Sequence, residues 1–227
     1  MNVAVLDFFL RNVDCSEFND KRVLEVGSRF VNGSVRPLIE RFCRPREYIG
    51  IDIEAGKYVD IVLPAERLVD HFGPESFDAV ISTEVIEHVF DWRLVINNMK
   101  AVLRRGGFIY ITTRSKNFPY HAYPYDFWRY EASDMIRIFR DFEIIRLETD
   151  WEAPGVFLKA RKPINWRPID LNNIELYSIV LGRKTRNLVG LNEASLVRRL
   201  MLMFCESKLK SILPSVIVHR LARRYCT

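Results

Sequence analysis

The sequence predicts an α/β fold built on a largely parallel sheet. Two observations lead there. Short apolar runs alternate with helix-spaced segments from residue 22 to about 160. One of those runs, Phe77–Thr83 (FDAVIST), carries a continuous apolar stretch at its centre, as a strand covered on both faces does. With 227 residues, the chain suits one large domain with an appendage better than two equal domains. Its 48% hydrophobic and 28% charged residues exclude a disordered or collagen-like chain. Apolar runs are too short for a membrane-spanning helix.

In order along the chain, Arg22–Gly27 (RVLEVG) reads as a buried strand ending at a glycine, and Val35–Phe42 as the helix after it. Tyr48–Asp52 (YIGID) reads as a second strand, Asp60–Val62 as a third and Phe77–Thr83 as a fourth, central one. Trp92–Leu103 has helical spacing and stops at Arg104-Arg105-Gly106-Gly107, with basic residues in the last turn and glycines beyond. Phe108–Thr113 (FIYITT) is a fifth strand. Residues 114–130 carry seven aromatics in seventeen positions with no consistent period, which predicts a lid or binding loop. Ser133 is then expected to cap a short helix through Phe139. Phe142–Leu147 and Val156–Ala160 are expected to pair as a hairpin, one of them antiparallel on the edge of the sheet.

Beyond Lys162-Pro163 the pattern changes. Residues 161–227 hold 13 Lys and Arg against 4 Asp and Glu, a net of +9, so the remaining residues carry −4 of the chain's +5. The boundaries expected are a domain at 1–162 and a basic helical extension at 163–227. An acidic body is not the footprint of a protein that coats nucleic acid, so nucleic acid is not an expected partner. In the extension, Leu196, Leu200, Phe204 and Leu213 fall near one helical face, expected to pack on the body or on a second copy in a homodimer. Arg198, Arg199, Lys208, Lys210, Arg220, Arg223 and Arg224 lie elsewhere, and an anionic membrane surface is the rival partner for that composition. Cys15, Cys43, Cys205 and Cys226 lie far apart without C-x-x-C spacing, so neither a metal site nor a disulfide framework is expected. The first residues lack a basic head and acquire Arg11, Asp14, Glu17 and Asp20 too early for a secretory signal. Together these predict a reduced, cytoplasmic protein, peripheral to a membrane if the tail docks there.

The strongest constellation is strand, glycine turn, helix, then a second strand ending in an acid: VLEVGSRFVNGSVRPLIE followed by YIGID. A nucleotide-like ligand at the carboxyl edge of a parallel sheet needs a closely approachable backbone, hence Gly27 and Gly33. It also needs a carboxylate to accept hydrogen bonds from ribose hydroxyls, and Asp52 ends the second strand. A nicotinamide site expects G-x-G-x-x-G, but Arg29 stands at the second glycine position. Glu25 repels a pyrophosphate and suits an ammonium.

On Glu25-x-Gly27 with Asn32-Gly33-Ser34, IGID, FDAVISTEVIEHV and GGFIYITT, the chain resembles the class I S-adenosylmethionine-dependent methyltransferases, small-molecule (type 11-like) branch, over about residues 20–160. The resemblance implies a Rossmann-like seven-stranded, mostly parallel sheet with an antiparallel last strand, and S-adenosyl-L-methionine as cofactor. It places Glu25 and Gly27, with Ser28, Asn32 and Gly33 in the turn, at the methionine end and Asp52 on the ribose. Ala65 and Glu66 fall near adenine, where Leu63-Pro64 stands in place of the usual Asp, and Ser82 to Glu84 line the transfer site. The absence of an Asn/Asp-Pro-Pro-aromatic turn after the fourth strand argues against base-amino methylation, and the absence of cysteine between Cys43 and Cys205 against cytosine carbon-5 methylation.

What remains is methyl transfer to oxygen or nitrogen of a small or saccharide-type acceptor. The His121–Tyr130 string looks like one found in methyltransferases of glycan assembly, and its aromatics are suited to stacking on a sugar. His121 and Asp126 are the candidates for handling an acceptor proton. His88, opening the helix expected after the fourth strand, reads as structural, with a place facing the acceptor as the alternative. The rival readings are an RNA methyltransferase docking through the basic tail and a cofactor-binding interaction protein without turnover.

Overall fold

The computed structural model describes residues 2–122 and 124–206. Helix α1 (Val3–Asn12) precedes β1 (Arg22–Val26), α2 (Arg36–Cys43), β2 (Glu47–Asp52), β3 (Ile61–Val62), α3 (Leu68–Phe72) and β4 (Phe77–Thr83). Then follow α4 (Trp92–Val102), β5 (Leu103–Arg114), β6 (Trp128–Arg129), α5 (Ala132–Ile138), β7 (Glu143–Thr149) and β8 (Gly155–Arg161). The described chain closes with β9 (Leu176–Ser178), β10 (Arg183–Thr185) and α6 (Leu196–Glu206).

Seven strands form one sheet in the order β3-β2-β1-β4-β5-β8-β7. The pairs among β1 to β5 are parallel, and β8 runs antiparallel to both neighbours. The antiparallel strand is therefore interior, not at the edge as the hairpin alone suggested. Burial explains the swap. β8 is buried over Gly155–Ala160, whereas β7 (EIIRLET) has no fully buried residue and suits the rim.

Period-2 alternation divides the core between the two faces of the sheet. Val23, Ala79, Ile81, Tyr110 and Phe157 face α1 and α2, while Leu24, Val80, Ile109, Ile111 and Leu158 face α4 and α5. α1 was not anticipated. It buries Ala4, Val5, Phe8 and Phe9, and the Asn2 side chain caps it by accepting from the Val5 amide. At the far end of α4, buried Lys162 donates from Nζ to the carbonyls of Lys100 (2.8 Å) and Leu103 (2.5 Å), satisfying acceptors that a helix end leaves open.

Several expectations need correction. Cys15 and Cys43 are joined in a disulfide, Cα atoms 4.6 Å apart, tying the turn after α1 to the end of α2. A spacing of 28 residues gave no hint of it, because only packing brings those two turns together. α5 is capped by a Glu131–Asp134 capping box and not by Ser133. The extension is not helical from residue 163: β9 and β10 join β6 in a second, three-stranded sheet, and Leu171, Ile174, Leu176 and Val180 enter the main core. Strands three residues long carry too little periodicity to be read. α6 is turned opposite to expectation. Leu196 and Leu200 are exposed, Leu202 packs against Tyr120 and Ile179, and Arg198 points inward to donate to the Ile179 carbonyl at 2.8 Å. The side chain of Phe204 and residues Leu213, Lys208, Lys210, Arg220, Arg223, Arg224 and Cys226 lie outside what is described, as does Tyr123.

Candidate functional site

The carboxyl ends of β1, β2, β4 and β5 open into one cavity of about 1260 Å3. At one end, backbone builds the wall. β1 stops at Gly27, whose φ of +77° is costly for any side chain, and a Cβ there would lie 2.1 Å from Val85 Cγ2. The amides of Gly27 and Ser28 both donate to the Ile51 carbonyl at 2.9 Å, so the turn is stitched to β2. Asp52 follows at the end of β2, its carboxylate held by the amides of Arg29 (3.2 Å) and Glu54 (3.1 Å). Asn98 from α4 donates to the carbonyls of Ala65 (3.2 Å) and Glu66 (2.7 Å) and pins the turn that carries them. Glu25 is buried and accepts from the Tyr48 hydroxyl at 2.9 Å. Burial pushes its carboxyl up to about 7, only partly opposed by that hydrogen bond.

At the other end the wall is ionisable. Glu84 sits at φ +58° directly after β4 and ion-pairs with buried Arg114, which also holds Asp150 at 3.0 Å. Burial and the nearby Glu87 raise the Glu84 carboxyl to about 7. Glu87 is fully buried, accepts from the Thr113 hydroxyl at 2.8 Å and is raised chiefly by burial. His88 contacts the Tyr125 carbonyl through Nδ1 at 2.6 Å. Burial and His121 depress it to about 4, so its imidazole is neutral at ordinary pH. Glu87 and His88 lie on a one-turn 3-10 segment, Ile86–His88, not on α4, whose N-cap is Asp91.

His121 lines the cavity with its ring 4.7 Å from that of His88. Its backbone amide donates to Asp126 Oδ2 at 2.9 Å, and its Nδ1 lies 3.0 Å from the same oxygen. Asp126 is fully buried behind His121, off the cavity wall, and takes a bidentate pair from Arg129 at 2.5 and 2.8 Å. The pair with Arg129 and the contact with His121 outweigh burial and hold its carboxyl well below the usual range. Asp126 is therefore a positioning group for His121 and cannot itself accept a proton near neutrality. Arg129, equally buried, also donates to the Phe118 and Pro119 carbonyls. The expected lid is thus anchored, with Trp128 and Tyr130 in the core and Tyr125 exposed at the cavity.

The wall includes nine of the ten expected cofactor residues: Glu25, Gly27, Ser28, Asn32, Gly33, Asp52, Ala65, Glu66 and Glu84. Ser82 does not reach it, because its alternation on β4 turns the side chain into the interior, and neighbouring Thr83 lines the cavity instead. Sequence reasoning passed over Arg114, and also Gly190, Leu191, Asn192 and Arg199, which bring the supposed appendage to the cavity mouth. The buried-strand ending ITTR gave some signal for Arg114, a charge closing an apolar run. Nothing in the local sequence signalled 190–199.

A methyltransferase-domain family model matches residues 3–148. A curated ubiquinone biosynthesis O-methyltransferase from Parvibaculum lavamentivorans is 27% identical over 99 residues, which is 42% of this chain and only 39% of the relative's length. Among solved structures, an S-adenosylmethionine-dependent methyltransferase from Mesorhizobium loti superposes with a TM-score of 0.54 at 16% identity, over 71% of this chain and 99% of that one. The 1,6-didemethyltoxoflavin-N1-methyltransferase of Burkholderia thailandensis, solved with S-adenosylhomocysteine, gives 0.51 at 14% identity over 70% and 76%. At such identities these two structures speak to the fold.

Proposed function

We propose, for a chain that belongs to the methyltransferase-domain family and has the class I S-adenosylmethionine-dependent methyltransferase fold, that it methylates an oxygen or nitrogen of a small or saccharide-type acceptor. One observation carries the reading: a single cavity joins the Gly27 turn and Asp52 to His88 and His121. The residues fit the cofactor. Gly27 leaves the wall open where a Cβ would collide, buried Ser28 Oγ on that wall has no hydrogen-bond partner, and Glu25 and Asp52 suit a cationic, ribose-bearing ligand. When bound, S-adenosylmethionine supplies a methyl group activated on a sulfonium.

The chain's own part is then mostly positioning. Asp52 accepts from ribose hydroxyls, Glu25 faces the ammonium, and Ala65 with Glu66 borders adenine. Holding acceptor and methyl in line supplies most of the acceleration such a displacement needs. His121, oriented through Nδ1 by Asp126, is left with Nε2 for the acceptor's reacting group. Phe90, Phe118 and Tyr125 on the cavity wall support an acceptor with a ring face to stack, such as a sugar. Calorimetry with S-adenosylmethionine and an acceptor screen read by S-adenosylhomocysteine release test the reading. Binding without turnover on any acceptor would leave a cofactor-binding interaction protein. Turnover on RNA, with affinity falling steeply in salt, would favour the RNA rival.

A peripheral membrane role for α6 is favoured by its outward Leu196, Val197, Leu200 and Met203. Among the described residues no helix is long and apolar enough to cross a membrane. Salt-sensitive sedimentation with anionic but not neutral vesicles supports docking. Absence of vesicle binding, with a dimer in ultracentrifugation, assigns the face to a second copy.

A further inference from the structure

Glu87, His88 and His121 form a cluster of metal-ligand type, with one ligand atom from each lying within 4.8 Å of the others. Glu87 is fully buried, and its Oε1 has no hydrogen-bond partner, with His88 Nε2 3.9 Å away. The nearby guanidinium groups make their ion pairs elsewhere, Arg114 with Glu84 and Asp150 and Arg129 with Asp126, and Arg129 only partly offsets the burial of Glu87. A buried carboxyl in that condition is costly to ionise without a cation.

Each member of the cluster is also held from behind. Thr113 donates to the other oxygen of Glu87. The carbonyl of Tyr125 can only accept, so His88 Nδ1 carries the proton and Nε2 keeps its lone pair. Ionised Asp126 does the same for His121. A ligand nitrogen freed by a carbonyl or carboxylate on its sister nitrogen is the usual outer arrangement of protein metal sites. Two imidazoles and one carboxylate, with the rest of the sphere open to a cavity, match a first-row divalent transition cation better than magnesium.

We infer that Glu87, His88 and His121 bind a divalent transition cation of the zinc type, whose open positions face the cavity and take an oxygen of the acceptor. The inference rests on the acceptor side proposed above and specifies it. His121 then acts on the acceptor through the ion, and coordination makes a bound hydroxyl more acidic. Binding at metal–ligand distances of about 2.0–2.2 Å draws the three groups together from their present separation. His88 and His121 have side chains 26% and 31% exposed, so packing leaves room for that approach while their Nδ1 contacts hold.

The test uses full-length protein stripped with a chelator and titrated with zinc by calorimetry and with cobalt by visible absorption, with S-adenosylmethionine affinity measured alongside. One equivalent at micromolar or tighter affinity is expected, with cobalt bands of a site containing imidazole ligands. Glu87→Gln and, should that variant fold poorly, His121→Asn on the loop should each weaken the cation at least tenfold, the scale of losses in metal sites. These changes should leave cofactor affinity intact. No binding up to millimolar cation in a protein that still binds S-adenosylmethionine overturns the inference and spares the methyltransferase reading. Unchanged cation affinity in both variants also overturns it, by placing the ion elsewhere.

Discussion

The two ends of the cavity are made of different material. Around Gly27, Asp52 and Ala65 the wall is backbone, and polar groups are fixed by neighbouring amides and carbonyls: Asp52 by Arg29 and Glu54, the Ala65 turn by Asn98. Around Glu84, His88 and His121 it is side chain and ionisable, with carboxyls pushed up, an imidazole pushed down, and buried Glu87 and Asp126 behind. A backbone cradle holds one shape whatever the pH, which suits a ligand that never changes. A cluster of perturbed ionisable groups responds to protons and cations, which suits the end proposed above for the acceptor.

The largest effect that would sharpen this contrast is expected at Asp126. Asp126→Ala leaves Arg129 buried without its bidentate partner and should cost about 3–5 kcal/mol of stability, read by denaturant unfolding. A change below about 1 kcal/mol, as is typical of an exposed pair, would mean the loop is not wired from this point. His121→Ala is next. It should lower turnover by about 10²–10⁴-fold while S-adenosylmethionine affinity stays put, and the contrast breaks if affinity falls instead.

Glu25 is the buried carboxyl of the backbone end, raised by that burial, and its sign can be worked out. Its carboxyl rises from 4.5 to about 7 in the folded protein, so its contribution to stability is full below 4.5 and is lost as pH climbs through 7. The loss approaches about 3 kcal/mol, and Glu25→Gln should flatten that part of the stability profile. An ammonium beside Glu25 favours the ionised form, so cofactor affinity should rise with pH over the same window in the native protein and not in the variant. Calorimetry across that range decides. Smallest is Asp52→Ala, expected to weaken S-adenosylmethionine by about 1–3 kcal/mol through lost charge-assisted hydrogen bonds, with turnover at saturation little changed. A reversed pattern, with affinity intact and turnover lost, would dissolve the distinction between the two ends.

The sequence by itself determined the sheet and the backbone end of the cavity. Apolar runs ending in glycine or acid, as in RVLEVG and YIGID, encode strand ends locally, and in a parallel sheet those ends share one edge, so Gly27 and Asp52 had to meet. Only the tertiary structure decided the other end. Whether Asp126 faces the cavity or Arg129, and whether Glu87 is buried beside two histidines, depend on how the loop after β5 folds back against the turn that follows β4. That loop has no repeating period to read, because its path is set by long-range contacts, such as the Phe127 amide on the Glu87 carbonyl and β6 against β9. The Cys15–Cys43 bond and the outward leucines of α6 were hidden for the same reason: each depends on a partner segment distant in sequence, whereas hydropathy records only a residue's own preference.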